Sequence, residues 1–168
     1  MAQVRTDLGD GHAVIDLCEA ALEDSHRLVP KVRIMAMQQQ AHGVSLTHDR
    51  DAVDRLIDEA DGLLAQVDDD LPWGNAYRRT PGYLEVQRAT CYGRLGLGVE
   101  AVSLWGQALD VVPETARRDR GVYLARHATA AAGAGEPDQA LEIARTVADI
   151  AVETRSAGTL PRSWRPRP

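Results

Sequence analysis

Apolar and small residues return along this chain at steps of three and four, the period of helices that bury one stripe. The clearest run is RATCYGRLGLGVEAVSLWGQALDVVP, in which Ala89, Tyr92, Gly96, Ala101, Trp105, Ala108 and Pro113 are separated by three, four, five, four, three and five residues. Small Ala89, Ala101 and Ala108 let two antiparallel helices approach closely, while Tyr92 and Trp105 fill the space between them. Gly96 ends the first helix of the pair and Pro113 stops the second. The pattern predicts a helical hairpin of about 25 residues.

The same frame fits the rest of the chain. Downstream, Ala128, Ala131, Gly135, Ala140, Ala144 and Val147 fall at the corresponding places, and Glu136, Pro137 and Asp138 form an acidic, proline-bearing first turn. Upstream, Ala41, Val44, Val53, Ile57 and Ala60 are in register, with His48 where the turn glycine stands elsewhere. At the beginning, Gly9 aligns with the turn glycine and Val14, Cys18 and Ala21 with the core positions of a second helix. A full first helix needs roughly 14 residues before Gly9, and eight are there. The chain therefore reads as opening on half a repeat. Because an end repeat leaves an apolar face uncovered, the expectation is a fragment of a longer protein, with an unusual N-terminal cap or self-association as alternatives.

Equivalent positions lie 39 residues apart from Val14 to Val53, 48 from Val53 to Ala101 and 39 from Ala101 to Ala140. Most of the surplus falls in residues 68–82, DDDLPWGNAYRRTPG, where Pro72, Gly74, Pro81 and Gly82 forbid a continuous helix. This irregular loop offers Trp73, Tyr77, Arg78 and Arg79 as contact candidates, the two aromatic rings covering a helix end or meeting a partner. Residues 158–168, rich in proline and arginine, are expected to be a disordered tail, which leaves residues 1–157 as one helical repeat domain.

Composition narrows the function classes. Of the 168 residues, 44% are hydrophobic and 26% charged, ordinary usage for a globular chain, and no stretch approaches a membrane span or a secretory leader. A cytoplasmic protein without membrane contact is expected. Cys18 and Cys91, the only cysteines, fall on apolar stripes and read as small hydrophobes. There is one lysine, Lys31, so lysine chemistry has a single candidate. Residues 1–75 carry 15 acids against 6 bases and residues 76–168 carry 10 acids against 13 bases. The acidic first part argues against wholesale nucleic-acid binding, whereas the arginines of the second part offer a local patch for an acidic peptide.

Catalytic and cofactor signatures are thin. Gly96-Leu97-Gly98 and Gly133-Ala134-Gly135 follow helices and complete no G-x-G-x-x-G, and no Walker or G-x-S-x-G motif is present. His42 and His48, with Asp49 and Asp51 nearby, fall on different helix faces and read as capping residues rather than metal ligands. The expectation is no catalytic residue, no metal and no cofactor.

The series from Ala89 to Pro113 resembles the tetratricopeptide repeat at position after position. With PWGNAYRRTPGYLEVQRATCYGRLG, RRDRGVYLAR and AGEPDQALEIA included, residues 9 to 157 resemble the tetratricopeptide portions of actinobacterial Xre-type helix-turn-helix transcriptional regulators. The resemblance implies an all-α, right-handed solenoid of antiparallel helix pairs with about three and a half repeats. It implies a non-catalytic protein- or peptide-binding module, the sensing or interaction part of such a regulator, whose DNA-binding domain is not in this sequence. A self-associating scaffold or homodimer is the alternative, and an unrecognised enzyme a distant third. In this frame the groove-facing positions of the first helices are Met35, Gln38, Gln39 and His42, then Tyr83, Val86, Thr90 and Arg94, then Arg126 and Thr129. The Lys and Asn set of chaperone-binding relatives and the Asn pattern of peptide-pheromone receptors are not reproduced. The turn to Pro161 and Pro166 also departs from the continuing helix expected there.

Overall fold

Four residues end a helix in the left-handed region: Gly9 (φ 77°), His48 (64°), Gly96 (78°) and Gly135 (82°). After each, the next amide returns to the carbonyl five residues back, Asp10 to Arg5 and Leu97 to Tyr92 at 3.0 Å, Glu136 to Ala131 at 3.0 Å and Asp49 to Val44 at 3.4 Å. These are Schellman closures, which satisfy helix-end carbonyls and turn the chain sharply. The same residue then begins the following helix, accepting from Val14, Val53, Ala101 or Ala140. One turn is thus repeated four times at the 39-, 48- and 39-residue spacing of the sequence.

The protein, in a computed structural model, is described over residues 1–67 and 82–154. The loop candidates Trp73, Tyr77, Arg78 and Arg79 and the proline-rich tail lie outside the described residues. Among those residues there are eight α-helices and no strand: α1 (Ala2–Leu8), α2 (Gly11–Leu22), α3 (Pro30–Leu46), α4 (Arg50–Leu63), α5 (Tyr83–Leu95), α6 (Gly98–Val111), α7 (Arg117–Gly133) and α8 (Pro137–Thr154). They form four hairpins, α1–α2, α3–α4, α5–α6 and α7–α8, and each second helix also packs on the first helix of the next hairpin. The first helices touch in succession, α1 on α3, α3 on α5 and α5 on α7, and so build one continuous layer. The opening half-repeat is therefore completed by a short α1. Its seven residues span about 10 Å, too little to cover the end of α2, and Ala21, expected in the core, is exposed.

The core follows the frame read from the sequence. Val14, Val53 and Ala101 are wholly buried five residues after their turns, and Cys18, Ile57 and Trp105 are buried four residues further on. Asp10 and Asp49 cap α2 and α4 by accepting from the amides of Ala13 (3.2 Å) and Ala52 (3.0 Å), each bond worth about 1 kcal/mol. Two of the seams between hairpins depend on glycine. A Cβ on Gly11 would stand 2.8 Å from the Gly43 carbonyl, and one on Gly98 would stand 2.6 Å from the Ala134 nitrogen. Arg50 occupies the same register position in the middle seam, so α4 and α5 cannot close in this way.

Candidate functional site

The layer of first helices carries the ten groove positions, and the structure links most of them to one another. Gln39 Nε2 donates to Thr6 Oγ1 (2.6 Å), Tyr83 Oη donates to Gln38 Oε1 (2.9 Å), and Arg126 donates to Thr90 Oγ1 (3.0 Å). His42 and Gln87 share a bond of 2.9 Å. Gln39, Gln87 and Arg126 stand at one register position, nine residues before their turns. The result is a ladder, each rung reaching back to the preceding hairpin. Polar groups expected to greet a ligand's backbone are thereby committed to joining the helices, and Thr90 and Thr129 additionally donate to the carbonyls of Val86 (2.8 Å) and Ala125 (3.0 Å) in their own helices.

Two of the ten lie beneath the surface. Val86 is 1% exposed and His42 7%, because α5 packs on both α3 and α4 and draws these positions beneath the surface. Met35, by contrast, is 46% exposed.

Burial gives His42 a positioning role. Arg94 donates to its Nδ1, so Nε2 carries the proton and donates to Gln87 Oε1. Loss of solvation, reinforced by the Arg94 charge, lowers the imidazole pKa to about 4 and keeps it neutral at physiological pH. Cys91 Sγ lies 3.9 Å from the same Nδ1, a juxtaposition that sequence spacing did not reveal because the two residues are on different hairpins. Burial pushes the Cys91 thiol up to about 11, whereas thiolate chemistry needs a depressed thiol beside a cationic imidazole. Cys18 is also a buried free thiol raised to about 11 by desolvation. Among the described residues, no group of three His, Cys, Asp or Glu side chains is arranged to hold a metal, and no helix is long and apolar enough to cross a membrane.

Where α5 and α7 diverge, the layer opens into a cleft of about 390 Å³. Thr90, Gly93 and Arg94 form one wall and Arg126, Thr129 and Ala130 the other, with Ala89 and Trp105 completing it. Trp105 is 1% exposed and its ring packs against Tyr123 at 5.6 Å between centroids, so this part of the wall is rigid. Four groove candidates, Thr90, Arg94, Arg126 and Thr129, therefore converge on one cleft whose lining holds two guanidiniums, two hydroxyls and no carboxylate. Desolvation lowers the Arg126 pKa from its ordinary value, with the charge of Asp7 among the smaller opposing influences. The sequence pointed to these four residues through the repeat frame, but the cleft owes as much to Gly93, Ala89 and Ala130, whose small size no motif singled out as functional. A second hollow of about 440 Å³, lined by Val99, Val102, Ala134, Glu136 and Gln139, has no comparable convergence of charge. No family model, curated protein or solved structure matches the chain.

Proposed function

We propose that this chain is a non-catalytic binding module of the tetratricopeptide type, a solenoid whose layer of first helices receives a protein or peptide segment, and that it serves as the sensing or interaction part of a transcriptional regulator. The observation that carries the binding reading is the convergence of Arg94, Arg126, Thr90 and Thr129 on one cleft, with exposed Met35 on the same layer. An extended segment with an acidic group over the arginines and an apolar side chain against Met35 matches that arrangement. The test is fluorescence anisotropy with short acidic and neutral peptides. Acidic peptides should bind, and Arg126→Glu and Met35→Glu should each weaken them at least tenfold. Equal binding of neutral peptides, or indifference to both substitutions, counts against the reading.

A second reading, self-association, has its own observation. Ile15 and Val102, six residues after their turns, pack against the core, whereas Leu141 in the same register is 54% exposed on α8. A second copy could cover it. Sedimentation equilibrium of the chain and of Leu141→Glu decides this: a dimer abolished by the substitution supports the scaffold, and a monomer at all concentrations removes it.

A further inference from the structure

Each seam of the solenoid joins the outer face of a second helix to the first helix of the next hairpin, and recurring register positions make it. On the second helix these are the second and sixth residues after the turn: Gly11 and Gly98 sit against Gly43 and Ala134, and Ile15 and Val102 pack against the core. On the first helix they lie one, five and eight residues before the turn. Thr47 and Gly43 face α2 and Ala134 faces α6, while Gln40 bonds Glu19 of α2 and Arg88 bonds Asp58 of α4. Among the described residues, two stripes in this register lie open, one at each end of the array. On α8, Pro137 and Leu141 hold the second and sixth places after Gly135, with Ala148 and Val152 further along the same face; Leu141 is 54% exposed and Val152 79%. On α1, Leu8, Val4 and Met1 stand one, five and eight residues before Gly9 and are 72%, 57% and 88% exposed. Five of the ten large apolar residues exposed in the described chain belong to these two stripes, so such surface is concentrated at the ends of the array instead of being scattered over it.

We infer that the two open faces are made for each other: α1 of one copy docks on α8 of a second copy, and the array continues from chain to chain. Leu8 lies over Pro137 as Thr47 lies over Gly11, and Val4 and Met1 lie beside Leu141 as Arg88 lies beside Asp54. Exposed Arg145 falls at the edge of the short α1, where its guanidinium stays in water. The inference rests on the self-association reading and specifies it, because it names the surface that meets Leu141. Head meets tail, so the contact is heterologous, each added copy leaves one face open, and association runs past the dimer. Pro137, standing where Gly11 and Gly98 stand, prevents closure backbone to backbone, and α1 covers only the first part of α8. The contact is therefore small, with a dissociation constant of about 0.1 mM.

The experiment is sedimentation equilibrium of the full chain from about 5 µM to 1 mM, with Leu8→Glu, Leu141→Glu and an equimolar mixture of the two. The wild-type mass should climb past that of a dimer, and each variant alone should stay at the monomer mass. In the mixture, Leu8→Glu keeps its α8 face and Leu141→Glu keeps its α1 face, so the two should form a one-to-one pair and grow no further. Val4→Glu takes the place of Leu8→Glu in the mixture if the latter loses its helical circular dichroism. A wild type that stops at the dimer mass, with the dimer lost in Leu141→Glu and kept in Leu8→Glu, overturns the head-to-tail contact and leaves self-association standing as a symmetric pairing through α8. A mixture that stays monomeric while the wild type associates overturns it as well. A wild type that is monomeric at every concentration, whether residues 155–168 or another protein takes the α8 face, overturns this contact and the self-association reading together.

Discussion

At the residue scale, two histidines do the work that other residue types do in neighbouring repeats. His48 is the one non-glycine among the described residues with positive φ, at 64°, and its side chain is exposed. The left-handed region costs a residue with a Cβ about 1–2 kcal/mol, part of which glycine gives back as lost chain entropy. His48→Gly should therefore raise stability by about 1 kcal/mol, read as a higher urea midpoint at unchanged slope. Its conformation was legible in the sequence, since the repeat frame put it where Gly9, Gly96 and Gly135 stand. The surroundings of His42 were not, because they are assembled from Gln87, Cys91 and Arg94 on another hairpin. Its folded pKa of about 4 lies below the ordinary histidine value of 6.5, so the unfolded chain binds the proton first. The His42 contribution is complete above pH 6.5 and is lost as pH falls through 4, an amount on the order of 3 kcal/mol. Denaturation of wild type and His42→Gln between pH 7 and 4 should show a steeper fall for wild type; parallel profiles would mean that His42 is not held neutral by the fold.

At the element scale, the three seams between hairpins are unequal. Glycine lets α2 meet α3 and α6 meet α7 backbone to backbone, whereas the α4–α5 seam adds polar side chains to an apolar cluster shared by both helices. Arg88, only 14% exposed at its side chain, bonds Asp54 at 2.7 Å and Asp58 at 2.5 Å. Tyr92 donates to the same Asp54 at 2.7 Å, and Arg50 lies over the Tyr92 ring at 5.2 Å while pairing with Glu100 at 3.4 Å. Burial works against the Arg88 charge, but its bonds to Asp58 and Asp54 outweigh this and raise its pKa. Asp54 takes the register position of Ile15 and Val102, so a carboxylate replaces an apolar contact, and its loss removes a partner from Arg88, Tyr92 and Arg50. Asp54→Ala should cost about 2–3 kcal/mol, measurable by denaturant unfolding, with Arg50→Ala costing less than half as much because that side chain is 48% exposed. The register that pairs Gln40 with Glu19 (3.3 Å) and Arg88 with Asp58 sets His127 opposite Gly106, and both ring nitrogens of His127 are buried without a partner. Nothing lies within 4 Å of a Cβ on Gly106, so Gly106→Ala should gain roughly 0.5–1 kcal/mol of helix stability, seen as a higher melting temperature.

Across the whole molecule, the hairpins were legible because stripe, turn and stop residues recur in one register, and α1 was not, because seven residues supply too few stripe positions to declare a helix. The cleft was half legible: a repeat frame says which positions face the layer, but not which of them spend their hydrogen bonds on each other. What the frame does fix is that each hairpin contacts chiefly its neighbours, and the stability of such an array is a sum of unit terms and seam terms. The weakest seam then sets where the array divides. Here that seam is α4–α5, where the sequence departs from its 39-residue spacing, Arg50 excludes close approach and part of the attraction is electrostatic, hence screened by salt. Native-state hydrogen exchange should accordingly give two levels of amide protection, one shared by α1 to α4 and another by α5 to α8, instead of a single level or a smooth gradient. Raising salt from 0.05 to 1 M should widen the gap between the two levels, and Asp54→Ala should reproduce the widening at low salt. If all eight helices lose protection together in both conditions, the polar seam couples the halves as tightly as the glycine seams couple their neighbours, and the inequality read from Arg50, Asp54 and Arg88 has no energetic counterpart.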